Sequence, residues 1–453
     1  MKIIIGGCGN IGENLISNFV NEGYDAVVLD SSQQVIAEMT NVYDIMGVCG
    51  NAADYETLES AGIRQADLFI AAAGSDELNM LSCFLAKRMG VPYTIARIRN
   101  PEYNDASLGF VKNELGLAMS INPEALAARE LFDILMLPSA AKIETFSGRA
   151  LEIVQLKIKE DSPLNNITLK DLRMKYRAKV LVCTVQRDDE VYIPGGDFLL
   201  MAGDKIGITA SPAEIENFLR HVGLMKKKAR KVMILGGNRT SYYLAKMLID
   251  GGTSVKIVEA NPSLAAELSE TLPEAVIING DCSQQELLLE EGIESADAVV
   301  ALTDNDETNI LLSIYAETQK VPKVITQANR DEMKRMAHKL GLDTVISPKK
   351  VIANVLVQYA RALENSLGSS NIETLYKLMD GKAEALEFNV RQTSKVTDIP
   401  LKDLHLKSNI LIAGIIRGRK TIVPGGMDMI QVGDKVIVMT SGYRLSDLSD
   451  IAE

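Results

Sequence analysis

The sequence predicts an α/β protein built as a tandem repeat: two doubly wound, parallel-sheet (Rossmann-like) lobes, each followed by a small α+β lobe. Three observations carry that expectation. The chain matches itself along its whole length, short β-rich runs alternate with helical periodicity in two separate stretches, and a Gly-x-Gly-x-x-Gly turn follows the first strand. The register of the repeat is nearly constant. Val28-Leu29-Asp30 recurs as Ile257-Val258-Glu259, 229 residues on, and Gly50-Asn51 recurs as Gly280-Asp281, 230 residues on. Asp76-Glu77-x-Asn79 and Asp306-Glu307-x-Asn309 keep the offset of 230, as do Ile193-Pro194-Gly195-Gly196 with Val423-Pro424-Gly425-Gly426 and Gly203-Asp204-Lys205 with Gly433-Asp434-Lys435.

In chain order, residues 2–6, 26–30, 68–73 and 93–97 read as strands and 11–21 and 77–89 as helices, so 1–122 form the first nucleotide-binding lobe. Strand, helix, strand with short connections implies parallel pairing through right-handed crossovers. Asn122-Pro123 and Ser347-Pro348 each place an N-cap residue before a proline at the first helical position, so connecting helices are expected over 123–137 and 348–366. The second carries Ile352, Val355, Leu356, Tyr359 and Leu363 at three-to-four spacing, a stripe covered either inside its own domain or by a partner lobe. Four β runs follow in each copy: 150–158, 180–186, 190–193 and 205–209, then 385–390, 410–417, 421–423 and 435–440. They define small lobes at 138–224 and 367–453, with a basic, solvated linker over 225–230 and the second Rossmann-like lobe at 231–347.

Composition narrows the function. At about 100–200 residues per domain, 453 residues make two to four domains. With 48 basic against 60 acidic side chains the net charge is −12, which repels a phosphate backbone and argues against nucleic acid. The longest apolar runs, 68–74 and 410–416, fall far short of the roughly 18–20 residues that span a bilayer, and the N-terminal run is too short for a signal peptide. A cytoplasmic protein is expected. Five cysteines, at 8, 49, 83, 183 and 282, form no Cys-x-x-Cys pair and read as reduced, buried thiols, and His221, His338 and His405 have no ligand spacing, so no metal site is expected.

The first copy holds the stronger site. Gly7, Cys8, Gly9, Asn10, Ile11 and Gly12 lie directly after a strand and open a helix. Gly7 permits the tight turn, Gly9 lets a phosphate reach the backbone, and Gly12 lets helix and strand pack closely, while the helix N-terminus presents free N–H groups to the phosphates. Asp30, 23 residues after Gly7, can accept both ribose hydroxyls and would repel a 2′-phosphate, favouring NAD over NADP without separating NAD(H) from ATP or ADP. Asn51, with Ala52, ends the third strand and can read adenine or simply form a turn. Ala73 and Gly74 are small at the point where the strand order reverses, and Arg97 and Arg99 share one side of the next strand as candidate phosphate partners or surface ion pairs.

In the second copy Gly236, Asn238 and Ser241 replace Gly7, Gly9 and Gly12, and Gln327 and Asn329 stand where Arg97 and Arg99 did. Glu259 keeps the ribose carboxylate. This lobe is therefore either a degenerate, structural copy or a weaker nucleotide site. Around 1–140 there is no His and no Tyr-x-x-x-Lys pair to donate a proton in hydride transfer, so no catalytic residue is expected and the nucleotide reads as a signal.

The residues 5–12, Asp30, 72–77, 96–103 and the two Pro-Gly-Gly motifs together resemble the Trk potassium-uptake regulatory subunit, with two tandem domains that regulate potassium conductance. The resemblance implies a gating subunit that docks beneath a membrane potassium transporter or channel, self-associates as a homotetramer or dimer of dimers, and changes ring geometry with NAD(H) or ATP/ADP occupancy. A stand-alone nucleotide sensor serving another transporter and an NAD-dependent oxidoreductase are the competing readings.

Overall fold

The computed structural model describes the chain apart from residues 101, 102, 104, 137–141, 148, 149, 177, 178, 189, 225–227 and 368–371. Part of the 96–103 motif and of the basic linker, and the side chain of Asn10, therefore lie outside the described residues.

The first lobe runs β1 (Lys2–Gly6), α1 (Asn10–Asn21), β2 (Asp25–Asp30), α2 (Gln33–Val42), β3 (Met46–Cys49), α3 (Tyr55–Ser60), β4 (Leu68–Ala71), α4 (Asp76–Arg88), β5 (Tyr93–Arg97), α5 (Asp105–Leu115), β6 (Met119–Ile121) and α6 (Pro123–Met136). Its strands are parallel in the order β3-β2-β1-β4-β5-β6. Ile3, Ile4 and Ile5 are all fully buried, as expected for a strand covered by helices on both faces, and Ile4 pairs with Val27 on one side and Phe69 on the other. The order reverses between β1 and β4, which opens a crevice at the carboxyl ends of those strands. Local chemistry marks the helix ends: Ser75 accepts from the Leu78 N–H at the start of α4, with Asp76 and Glu77 in the first turn and Lys87 and Arg88 in the last, each sign matched to the helix dipole.

The first small lobe contains β7 (Lys142–Phe146), β8 (Leu151–Lys157), β9 (Ile167–Thr168), α7 (Leu169–Tyr176), β10 (Leu181–Arg187), β11 (Glu190–Tyr192), β12 (Leu199–Leu200), β13 (Lys205–Ala210) and α8 (Pro212–His221). Its main sheet is antiparallel, in the order β11-β10-β13-β8-β7.

The second copy repeats both. β14 (Lys231–Leu235), α9 (Arg239–Asp250), β15 (Ser254–Glu259), α10 (Pro262–Thr271), β16 (Val276–Asn279), α11 (Gln285–Glu290), β17 (Ala298–Ala301), α12 (Asp306–Thr318), β18 (Lys323–Gln327), α13 (Asp331–Lys339), β19 (Val345–Ile346) and α14 (Pro348–Leu367) form the sheet β16-β15-β14-β17-β18-β19. β20 (Ile372–Leu378), β21 (Ala383–Asn389), β22 (Ile410–Arg417), β23 (Lys420–Ile422) and β24 (Lys435–Thr440) form the sheet β20-β21-β24-β22-β23. The main sheets of the two copies share one strand order, while the β9–β12 pair of the first small lobe is represented, among the described residues of the second, only by the isolated bridges Thr397–Ile430 and Pro400–Met429.

The chain divides into two compact units, and each takes one piece from each copy: 1–131 with 232–360, and 132–231 with 361–453. The first unit holds the two Rossmann-like lobes. Along α14, Ile352, Leu356 and Leu363 are buried as the stripe requires, but so are Ala353, Val357 and Ala360, so the covered face is broader than the stripe. Tyr359 lies close enough to Tyr93 of the first lobe that, after burial, this neighbour helps to raise the pKa of its phenol. The second unit holds both small lobes, whose sheets share a core of Phe146, Leu151, Ile153 and Cys183 with Leu378, Met379, Ala385, Ala413 and Ile437. Here Tyr376 donates to the Thr145 carbonyl, Thr421 donates to the Ala150 carbonyl, and the hydroxyl of Ser147 hydrogen bonds the carboxylate of Glu387, which is 1% exposed.

Candidate nucleotide site

A cleft of about 750 Å³ opens at the crevice of the first sheet. Gly7, Gly9, Ile11, Asp30, Asn51, Ala52, Ala73, Gly74, Arg97 and Arg99 line it, together with Leu29, Ser31, Gly50, Ala72, Leu78 and Glu124. That volume is within the range of small-molecule and cofactor pockets.

The three glycines have three different reasons to lack a side chain. Gly7 has φ +95, and a Cβ there would lie 2.5 Å from the Ala73 nitrogen. At Gly12 a Cβ would lie 2.2 Å from the Gly7 carbonyl oxygen, so α1 packs directly on the turn. A Cβ on Gly9 would meet nothing within 4 Å, and the position faces the cleft. Gly9 is also the N-cap of α1, and no side chain caps that helix. Its first N–H groups are open to an anion, with the positive end of the helix dipole behind them.

Asp30 ends β2 with its carboxylate at the turn: Oδ2 accepts from the Cys8 N–H at 2.7 Å and Oδ1 from the Ser32 N–H at 2.9 Å. Cys8 and Gly12 do not line the cleft. Cys8 is buried behind the loop, where burial, helped by the Asp30 charge, pushes its thiol up to about 12. Asn51 makes a turn, its Oδ1 accepting from the Ala53 N–H at 3.0 Å, while remaining on the cleft wall.

The opposite wall is cationic. Arg97, 7% exposed, donates through Nη2 to the Ala73 carbonyl, and its buried Nε has no partner among the described residues. Burial, and then the neighbouring Arg99 charge, lower its pKa. Arg99 donates through Nε at 2.8 Å to Oε1 of Glu124, and its Nη2 lies 2.7 Å from the same oxygen. Sequence reasoning missed Glu124, because nothing local marks a glutamate in the first turn of α6 as a partner 25 residues from Arg99.

The Asp-Glu-x-Asn repeat is more than a marker of register. The fully buried Asn79 accepts from the Ala73 N–H at 2.7 Å and donates to the Ala73 and Arg97 carbonyls, both at 3.0 Å, while Asp76 accepts from the Arg99 and Asn100 N–H groups, both at 2.8 Å. Together they staple the ends of β4 and β5 into the cleft wall. Asn309 and Asp306 do the same for Thr303, Gln327, Asn329 and Arg330 in the second copy.

In the second lobe Gly236 keeps the turn, with φ +101. The Asn238 side chain folds back over the loop, donating to the Leu302 carbonyl at 2.6 Å and accepting from the Ser241 N–H at 3.1 Å, so α9 is capped from within. Ser241 takes the place of Gly12 and turns a close approach into a hydrogen bond to the Gly236 carbonyl at 2.6 Å. Glu259 accepts from the Gly237 and Asn261 N–H groups, both at 2.6 Å. The second lobe also reaches the first cleft: Asn122, which caps α6 and donates to the Arg99 carbonyl, donates to the Tyr243 hydroxyl at 3.0 Å, and the charge of Arg239 is felt at Arg97.

The fold thus defines a tandem protein of two dinucleotide-type lobes and two small antiparallel lobes, in which the first glycine turn is open and the second is closed. A family model described as the TrkA-N domain matches residues 3–111 and 232–348, and one described as the TrkA-C domain matches 153–223 and 385–452. The chain belongs to the TrkA family of Trk potassium-uptake proteins. It is 30% identical over 451 residues to a Trk system potassium uptake protein TrkA homolog of Archaeoglobus fulgidus, covering 100% of both chains. With the Trk system potassium uptake protein TrkA of Vibrio alginolyticus it shares 30% identity over 444 residues, 97% of this chain and 95% of the relative. Among solved structures, the GsuK RCK domain superposes with a TM-score of 0.64 at 17% identity, covering 97% of this chain and 92% of its own. A GsuK channel bound to NAD superposes at 0.63 and 16% identity, covering 97% and 77%. At that identity the likeness is one of fold.

Proposed function

We propose that this chain is the nucleotide-sensing regulatory subunit of a potassium uptake system, acting from the cytoplasmic side on a separate membrane transporter or channel as part of a self-associated ring, a homotetramer or dimer of dimers. No helix among the described residues is long and apolar enough to cross a membrane, and in this reading the ion path is the partner's. The observation that carries the reading is the uncapped N-terminus of α1 facing the cleft between Asp30 and the Arg97 wall. NAD(H), ATP and ADP all offer what that cleft can hold: a ribose for Asp30 and phosphates for Gly9 and the helix end. The cleft works as a sensor and not as a catalyst. A ligand moves a gate only through its differential affinity for two conformations, typically about 1–3 kcal/mol of coupling. The second lobe, closed by Asn238, holds the assembly in register while the first lobe switches.

The test is calorimetry and reconstituted potassium flux. Nucleotides should bind the wild type with one strong site per chain, and Asp30→Ala should weaken that binding about ten- to a hundredfold, the value of a charged hydrogen bond. Flux should respond differently to at least two of NAD+, NADH, ATP and ADP, and Asp30→Ala should blunt the difference far more than Glu259→Ala. Flux indifferent to every nucleotide, or dependent on Glu259 alone, defeats the assignment.

A further inference from the structure

The cationic wall of the cleft is not uniformly available to phosphate. Among the described residues, no carboxylate is hydrogen bonded to Arg97, and its Nε has no partner. Arg99 is already engaged, with two nitrogens on a single oxygen of Glu124. The other oxygen of that carboxylate is buried and accepts nothing from the described residues, so the negative charge of Glu124 is only partly quenched at the cleft wall. Glu124 is also fixed: it follows Pro123 in the first turn of α6, where the helix end favours a carboxylate, and its side chain is 17% exposed.

We propose that Glu124 is the specificity-determining residue of this cleft: by holding Arg99 in an internal ion pair it favours a dinucleotide, with two phosphates, over a nucleoside triphosphate. The inference rests on the nucleotide reading of the site. One pyrophosphate is served by the end of α1 and by Arg97. A third phosphate must draw Arg99 away from Glu124, or approach a carboxylate of its own sign in a half-buried setting where like charges repel far more than in water. Removing Arg99 would strand the Glu124 charge, which is costlier than leaving the pair intact. The Arg99–Glu124 pair therefore acts as a charge filter that a two-phosphate ligand does not disturb.

The experiment is calorimetry of NAD, ADP and ATP, with magnesium and with a chelator, on wild type, Glu124→Gln and Arg99→Gln. Glu124→Gln keeps the shape and removes the charge, so ATP affinity should rise about tenfold while NAD affinity changes less than about twofold. Arg99→Gln should move the ratio the other way, weakening ATP more than NAD. The proposal is overturned if the ATP-to-NAD ratio stays put in Glu124→Gln, whether both affinities hold or both shift together. It is equally overturned if ATP weakens, which would make Glu124 a cation ligand or a scaffold. The nucleotide reading fails separately, and visibly, if the wild type binds none of the three or if Asp30→Ala in the same series changes nothing.

Discussion

Gly9 and Asn238 occupy the same place in two copies of one turn, and what each carries decides whether the end of its helix is open or capped. The contrast makes an unusual prediction for Gly9→Asn. The backbone there is ordinary, at φ −61, and the space beyond it is open, so an asparagine fits without strain. It should cap α1 as Asn238 caps α9, adding a few tenths of a kcal/mol of stability, while blocking the approach of a phosphate. Thermal unfolding should therefore move up as calorimetric nucleotide affinity is lost; affinity that survives would show that the glycine is not the contact point. In the opposite direction, Asn238→Gly with Ser241→Gly should uncap α9 and strengthen any binding at the second lobe. Single residues were also where the sequence was least legible. Gly7, Gly9, Gly12 and Asp30 follow a spacing set by one continuous turn and strand, so they could be read. Asn79 and Glu124 work through partners 18 and 25 residues away, and no local pattern announces such bonds.

The elements were more legible, for a physical reason. Parallel strands buried on both faces, such as β1 and β4, are continuous apolar runs, and the helices between them carry caps and periodic stripes. Among the strands that escaped notice, β7 and β20 pair on one side only at the edges of their sheets, and they mix polar with apolar residues without a strict period. Their apolar members, Phe146 and Leu378, face a core made with the other small lobe, which local periodicity cannot reveal. The element-level claim most open to test is the staple at the end of α4. Asn79→Ala removes one accepted and two donated bonds at a fully buried position, so it should cost about 2–4 kcal/mol in denaturant unfolding. It should also weaken nucleotide binding, because Ala73 and Arg97 lose their common anchor. A variant that is destabilised but binds with unchanged affinity would confine Asn79 to the fold.

For the molecule as a whole, the boundary between the repeats is not the boundary between the compact units. Each unit contains one lobe from each copy, and the pairing of the small lobes is not interchangeable: Glu387 finds the hydroxyl of Ser147, whereas the corresponding turn of the second copy presents Met379, which also has a positive φ. Two polypeptides, 1–230 and 231–453, expressed together should therefore reassemble and bind nucleotide, whereas 231–453 alone should self-associate poorly, because pairing with itself would bury Glu387 against methionine. Ultracentrifugation and calorimetry read both outcomes, and a stable, folded 231–453 monomer would refute the pairing argument.

The interleaving of the copies also bears on how they came to differ. A half-length chain would leave Phe146, Leu151 and Ile153 uncovered and would have to find an identical chain to cover them, so every change in one subunit would appear in its mate. Fusing the halves replaces a concentration-dependent encounter with a tethered one. It also lets the two faces of one contact mutate separately. Once the mate is covalently guaranteed, one lobe can give up its glycines, cap its own helix and specialise as scaffold, while the other keeps its turn open.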